Sequence, residues 1–163
     1  MVQAEAASCI DIYAMPGHLI RRMHQASQAI FDSQMARAGF DLTSVQFAAL
    51  RLIANRPGLD QASLAAAIAF DRATTGGVID RLESKQLVRR EIDATDRRAR
   101  RLYAEPSGIA LLERVDPIVA QVQLEMLRGL SLDEQAHLMQ LLDKALAAVG
   151  DVSRPALRDI RAA

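Results

Sequence analysis

The sequence predicts a mainly α-helical fold that carries one small β-hairpin. Half of the 163 residues are apolar and aromatic residues are scarce. Ala and Leu, which both favour helices, dominate the apolar set. Apolar residues follow helical spacing along most of the chain, whereas residues 88–104 alternate with a period near two. A chain of this length is expected to form one domain over residues 1–163.

Four helices are predicted in the first half of the chain. Residues 18–38 carry a wide apolar stripe that ends at Gly39. The capping-box pattern at residues 43–46 begins a second helix. Two short helices are expected to follow, over residues 61–69 and 72–85.

Two aspartates are positioned to begin the short helices. Asp60 and Asp71 each precede an apolar-periodic run, where a carboxylate can accept hydrogen bonds from free backbone N–H groups. Two short capped helices followed by a basic hairpin describe a winged helix-turn-helix, whose second helix enters the DNA major groove. The pattern therefore indicates a protein that binds DNA through residues 60–101.

The hairpin, or wing, is predicted from strands at residues 88–92 and 100–104. The polar tract 93–98 between them contains no Asn-Gly pair, so the connection should be longer than a two-residue turn. Arg97 and Arg98 are expected at its apex, where an arginine can enter a narrow minor groove. An ordinary charged hairpin loop is the alternative.

Two further helices are predicted after the wing. The first runs over residues 106–127 and is expected to kink at Pro117. A second capping box at residues 131–134 begins the last helix, which ends at residue 149. The tail, residues 150–163, is polar and interrupted by proline, and we expect it to be partly ordered at most.

The charges are unevenly distributed although the net charge is zero. Residues 72–101 hold nine basic and five acidic side chains, whereas residues 102–150 hold three basic and seven acidic ones. The first segment therefore carries a net charge of +4 and the second −4. This asymmetry is typical of a DNA-contacting module joined to a segment with another task.

The helix at residues 72–85 is the predicted recognition helix. Small side chains around Arg72 would let it lie deep in the groove, with Arg72 and the threonines near base edges. Other polar residues are better placed for phosphates, which position a protein without specifying sequence. A solvated charged helix face is the alternative. The DNA-binding candidates are Ser63, Arg72, Thr74, Thr75, Gly76, Arg81, Lys85, Arg97 and Arg98.

Residues 42–108 resemble the central signature of the MarR family. The segment from Leu42 to Gln46 matches the family's LTxxQ pattern. Residues 71–83, DRATTGGVIDRLE, match its recognition helix, and residues 93–100, DATDRRAR, match its wing. The sequence departs from the family pattern in two places: Gln86 replaces the usual glycine, and Ala104-Glu105 replaces Leu-Thr. Ser107 is a candidate for the altered cap.

The resemblance implies a homodimeric transcription regulator, with repressor as the family-level expectation. Helices 18–38 and 106–149 of two copies would interlock, and the lobe 43–104 of each would bind half of a pseudo-palindromic operator on double-stranded DNA. Arg97 would be the wing-tip arginine. No cofactor or metal is expected, and no arrangement of residues indicates an enzyme.

Members of the family often respond to small aromatic or phenolic acids bound between the dimerisation helices and the winged lobe. A carboxylate ligand needs a cation in a mostly apolar cleft. His18 and Arg22 lie four residues apart, hence on one helix face. Alternatively, His18 forms a local hydrogen bond and Arg22 pairs with an acid across the dimer. The ligand-binding candidates are Tyr13, Met15, His18, Arg21, Arg22 and Arg51.

Cys9 is the single cysteine, which excludes an intrachain disulfide and fits a reducing cytoplasm. No secretory signal or membrane span is predicted. Cys9 and Tyr13 have the spacing of a peroxide-sensing branch of the family, but Cys9 lies about ten residues too far from Gln46. Redox sensing through Cys9 and non-specific architectural DNA binding remain the alternatives.

Overall fold

A computed structural model of the chain describes residues 11–93 and 100–149. A short 3-10 turn, Ile12–Ala14, precedes the first helix. The helices are α1 (Pro16–Arg37), α2 (Ser44–Asn55), α3 (Gln61–Ala67), α4 (Arg72–Ser84), α5 (Pro106–Met126) and α6 (Leu132–Val149). The strands are β1 (Leu59–Asp60), β2 (Val88–Ile92) and β3 (Arg100–Ala104).

The predicted fold class is confirmed, and so are both capping boxes. The Thr43 hydroxyl accepts from the Gln46 N–H, and the Gln46 side chain accepts from the Thr43 N–H, both at 3.3 Å. Ser131 and Glu134 make the same reciprocal pair ahead of α6. Each pair satisfies backbone N–H groups that a helix start leaves free.

The sheet has the order β1-β3-β2, and both pairings are antiparallel. The wing strands β2 and β3 have the predicted bounds, with Val88 opposite Ala104 and Ile92 opposite Arg100. Strand β1 was not predicted, because two residues show no periodicity. It exists because Leu59 pairs with Leu102, which is fully buried at the centre of the sheet.

The core lies where α2, α4 and the base of the wing meet. Leu50 and Ile53 of α2 are fully buried, as are Ile79 and Leu82 of α4. Helix α5 extends this core, and it continues without a break through Pro117. The fully buried apolar side chains of α3, β3 and α5 in the same cluster are Leu64, Leu102, Leu112, Val115 and Val122.

Helix α5 approaches the base of the wing very closely. A Cβ atom added to Gly108 would lie 2.3 Å from the Leu87 carbonyl oxygen and 3.1 Å from a Leu50 methyl carbon. Only glycine allows this approach. The start of α5 and the entry into β2 are therefore held at fixed separation.

Helix α6 and the first half of α1 leave apolar surface uncovered. No residue of α6 is buried. Its Leu132 is 80% exposed and its Leu146 is 68% exposed. In α1, Leu19, Ile20 and Met23 are also exposed. None of the helices in the described ranges is long and apolar enough to cross a membrane.

Three helices end in the same backbone motif, with a residue in the left-handed conformation. At α4 the Leu87 N–H donates to the Leu82 carbonyl and the Gln86 N–H to the Glu83 carbonyl, with Gln86 at φ +57°. This is a Schellman motif, which usually contains glycine. Gln86 therefore adopts the left-handed conformation and the cap is retained. Ser107 does not cap α5; its hydroxyl donates to the Gln86 carbonyl instead.

We predict that Gln86→Gly stabilises the protein. The left-handed conformation costs a non-glycine residue roughly 1–2 kcal/mol, and glycine's greater freedom in the unfolded chain offsets part of that gain. A rise of about 1 kcal/mol in the free energy of unfolding is expected from urea denaturation. Gln86→Ala is the control, since it keeps the Cβ atom; an equal gain in the alanine variant would contradict the strain argument.

Candidate functional site

Two aspartates hold the starts of α3 and α4, as predicted. The Asp71 carboxylate accepts from the Thr74 N–H at 2.8 Å and from the Thr74 hydroxyl at 2.7 Å, and these bonds lower the pKa of Asp71. The Asp60 carboxylate accepts from the N–H groups of Ala62 and Ser63, both at 2.9 Å. Burial alone would raise the pKa of Asp60, but the hydrogen bonds from Ser63 and Ala62 and the charge of Arg101 together outweigh it and lower this pKa.

The first turn of α4 is exposed to solvent and carries one arginine, Arg72. Arg72, Ala73, Thr74 and Gly77 are all exposed. The Gln61 side chain at the start of α3 donates to the Arg72 carbonyl at 3.2 Å. The Gln61 amide nitrogen would also lie 3.3 Å from a Cβ atom at position 76. Helix α3 thus braces the turn that carries Arg72 and keeps position 76 small.

The expected role of Thr75 in base contact needs correction. Its side chain is fully buried, and its hydroxyl donates to the Asp71 carbonyl at 2.8 Å. It lies three residues before Val78 and four before Ile79, on the stripe that packs into the core. Thr75 therefore supports the recognition helix from inside, and neither its hydroxyl nor its methyl group reaches the outer surface.

The three phosphate candidates of the helix-turn-helix differ in their surroundings. The Ser63 hydroxyl donates to the Asp60 carboxylate at 2.8 Å. The Lys85 ammonium lies 2.8 Å from the Asp41 carboxylate and donates to the Asp41 carbonyl at 2.6 Å. Arg81 is exposed on α4. Arg81 is thus directly available to a phosphate, whereas Lys85 already links α4 to the turn between α1 and α2.

The wing is attached to the helix-turn-helix by two arginines that sequence reasoning missed. Arg90 of β2 pairs with Asp80 and Glu83 of α4, each at 2.5 Å. Arg101 of β3 bonds the Asp93 carboxylate and donates to the Gly58 carbonyl at 3.2 Å. Such pairs join residues seven or more positions apart and leave no periodic signal in the sequence. The wing-tip candidates Arg97 and Arg98 lie outside the described residues.

The candidates for ligand binding at the start of α1 form one small group. The rings of Tyr13 and His18 meet edge to face, with centroids 5.5 Å apart. The Nε2 atom of His18 is buried and has no hydrogen-bond partner within the described part of the chain. Met15 is the N-cap of α1 and provides no side-chain cap. Arg21 and Arg22 are exposed on the next turn.

Arg51, the sixth ligand candidate, already has an anionic partner. Its guanidinium forms an ion pair with Asp116 of α5 and lies 6.0 Å from the ring centroid of Phe47. Asp116 was not predicted, since 65 residues separate the two partners. Arg51 is therefore not a free cation awaiting a ligand; it joins α2 to α5.

No group of three or more His, Cys, Asp or Glu side chains within residues 11–93 and 100–149 is arranged to hold a metal ion. Cys9, on which the redox alternative rests, lies outside the described residues.

The capped pair α3 and α4, with the exposed start of α4 and an adjacent basic hairpin, defines a winged helix-turn-helix DNA-binding protein. The MarR family model matches residues 42–99. The chain is 36% identical over 129 residues to the transcriptional regulator HosA of Escherichia coli, covering 79% of this chain and 93% of HosA. It is 33% identical to the transcriptional repressor NicR of Pseudomonas putida, covering 83% and 85%.

A solved structure agrees with these relatives. BpsR of Bordetella bronchiseptica, whose DNA binding is regulated by 6-hydroxynicotinic acid, has a TM-score of 0.78 and 30% identity. The match covers 85% of this chain and 97% of BpsR. The chain belongs to the MarR family of DNA-binding transcriptional regulators, and its relatives are regulators rather than enzymes.

We predict that Thr75→Val lowers stability without changing base preference. Loss of the hydrogen bond to the Asp71 carbonyl should cost roughly 0.5–1.5 kcal/mol, while the isosteric valine keeps the packing. The measurements are thermal unfolding and binding to a set of operators with single-base changes. An altered order of preference among these operators would show that Thr75 contacts DNA bases.

Proposed function

We propose that this protein is a homodimeric repressor, acting in the cytoplasm, that binds a pseudo-palindromic operator and releases it on binding a small aromatic carboxylate. The observation that carries the DNA-binding mode is the exposed first turn of α4, where small residues surround Arg72. Arg72 would bond guanine edges in the major groove, with Thr74 beside it. Gly76, half-buried against Gln61, would keep the helix surface flat there.

The remaining DNA contacts would position the protein. Arg81 would bind a phosphate directly, and Ser63 would add a hydroxyl at the start of the helix-turn-helix. Lys85 would reach a phosphate only by leaving Asp41. Arg97, with Arg98 beside it, would enter the minor groove from the wing, by the resemblance of residues 93–100 to the family's wing.

The uncovered helix α6 supports the dimer. Leu132, Met139 and Leu146 are exposed at seven-residue intervals. Leu142 and Val149 are exposed at the same interval and lie beside them on the helix. This heptad pattern is typical of helices that pack against another helix. An exposed apolar stripe of this kind marks a surface that packs against a partner. A second copy would cover it and present two α4 helices to two half-sites.

The first turn of α1 supports binding of an aromatic acid. A carboxylate there would be favoured by the positive end of the α1 dipole, which has no side-chain cap and no acidic residue in its first turn. The Nε2 atom of His18, which has no hydrogen-bond partner among the described residues, would bond the ligand, and Arg22 lies one turn further along. The rings of Tyr13 and His18, with Met15, would contact the aromatic face. BpsR responds to an acid of this chemical class, and NicR is a repressor.

The operator contact is tested by gel shift with the DNA upstream of the protein's own gene and with random DNA of equal length. The protein should prefer its own region at physiological salt. Arg72→Ala should relax the preference at a cost of about 1–3 kcal/mol if the guanidinium makes a bidentate base contact. Arg37→Ala, an exposed arginine in the last turn of α1, is the matched control. Equal affinity of the wild type for both DNAs would refute sequence-specific regulation.

The ligand site is tested by a thermal-shift series of aromatic carboxylates that includes 6-hydroxynicotinic acid. A ligand at a hundred times its Kd should raise the free energy of unfolding by about 2.7 kcal/mol. His18→Ala and Arg22→Ala should reduce the shift, and Arg37→Ala should leave it unchanged. The absence of a shift with every acid, or a full shift in Arg22→Ala, would exclude this site.

A further inference from the structure

We propose that Arg90 is a positioning residue for DNA recognition: it fixes the wing relative to the recognition helix by binding two carboxylates of α4. The proposal rests on the DNA-binding mode described above, in which α4 and the wing engage one half-site together. Arg90 itself makes no DNA contact. Its effect on affinity comes from holding the strands β2 and β3 at the angle at which both elements reach the duplex.

Arg90, Asp80 and Glu83 form a cluster that clamps β2 to α4. Arg90 is 23% exposed, and its two terminal nitrogens contact Asp80 and Glu83 separately, each at 2.5 Å. The Arg90 backbone N–H also donates to the Glu83 carboxylate, at 3.3 Å. Asp80 and Glu83 lie three residues apart and hence side by side on α4. Arg90 of β2 therefore holds one turn of the recognition helix through three hydrogen bonds, two from its side chain and one from its backbone N–H.

The charge of the cluster argues against a phosphate-binding role for Arg90. Two carboxylates surround one guanidinium, so the cluster carries a net negative charge on a helix that faces DNA. Asp80 is 67% exposed and would be repelled by phosphates, which lowers affinity. An acid at this position favours binding only if its contact with Arg90 contributes more than the repulsion costs.

The wing needs such an attachment. A two-stranded hairpin is marginally stable alone, and the third strand, β1, has only two residues. Arg101 attaches β3 to Asp93 and to the Gly58 carbonyl, near the start of α3. Arg90 provides the link from β2 to α4 itself. The pair of attachments at opposite strands prevents the hairpin from swinging about its base.

Asp80→Asn separates positioning from simple electrostatics. If Asp80 has no role in positioning, removing a negative charge from the DNA-facing helix should tighten binding. We expect instead an affinity about three- to tenfold lower for the operator. Hydroxyl-radical footprints should lose protection at the wing while protection under α4 remains. Glu113→Gln, which removes one exposed charge from α5, is the matched control and should keep both the affinity and the footprint.

A salt series distinguishes Arg90 from a phosphate-binding arginine. Arg81→Gln should reduce the slope of log K against log salt by about one, as expected when a phosphate contact is lost. Arg90→Gln should lower affinity with an unchanged slope. Binding by Asp80→Asn that equals or exceeds the wild type with an intact footprint overturns the proposal, as does a reduced slope in Arg90→Gln.

Amide hydrogen exchange of the free protein provides a measurement independent of DNA. Exchange at residues 88–92 should accelerate in Asp80→Asn and stay at the wild-type rate in Glu113→Gln. If the wild-type protein does not prefer its operator over random DNA, the proposed function fails. The exchange measurement still tests whether Arg90 holds the wing on α4. Unchanged exchange in Asp80→Asn overturns the clamp even where operator specificity is established.

Discussion

The interface depends on one constraint: α4 must bury a single stripe and leave the opposite face small and open. Thr75, Val78, Ile79 and Leu82 form the buried stripe at helical spacing. Their packing into the core sets the rotation of the helix about its axis. That rotation turns Thr75 into the core, while Arg72, in the first turn of the helix, is exposed.

Charges near this surface divide into those that can contact DNA and those that hold the protein together. Lys85, Arg89, Arg90 and Arg101 all pair with carboxylates, whereas Arg72 and Arg81 are exposed. The side chains of residues 72–101 sum to a net charge of +4, but this sum does not show which cations already pair with a carboxylate. The acids of the segment are the partners of its arginines, and the pairs of Arg90 with Asp80 and Glu83 fix the wing to α4.

The same distinction applies to the ligand candidates. Within residues 11–93 and 100–149, the buried Nε2 atom of His18 has no hydrogen-bond partner, which favours an incoming hydrogen-bond group. Arg51 has Asp116, and the pair connects α2 in the DNA-binding lobe with α5. Of the two, His18 is the better candidate for the proposed ligand contact, since a carboxylate at Arg51 would first have to displace Asp116. The Arg51–Asp116 pair also offers a direct mechanical connection between the two parts of the molecule.

The sequence by itself determined the fold class, the helix caps at Thr43, Asp60 and Asp71, and both wing strands. The caps depend on interactions within a few residues, and each strand shows its own two-residue alternation. It also contained the position of Thr75 on the buried stripe, since the three- and four-residue spacing to Val78 and Ile79 is visible in the sequence. Only the tertiary structure decided which cations are free. Arg51, Lys85, Arg90 and Arg101 find their partners on other elements, and strand β1 exists only by pairing with β3. Such contacts depend on how the helices pack, and no local pattern records them.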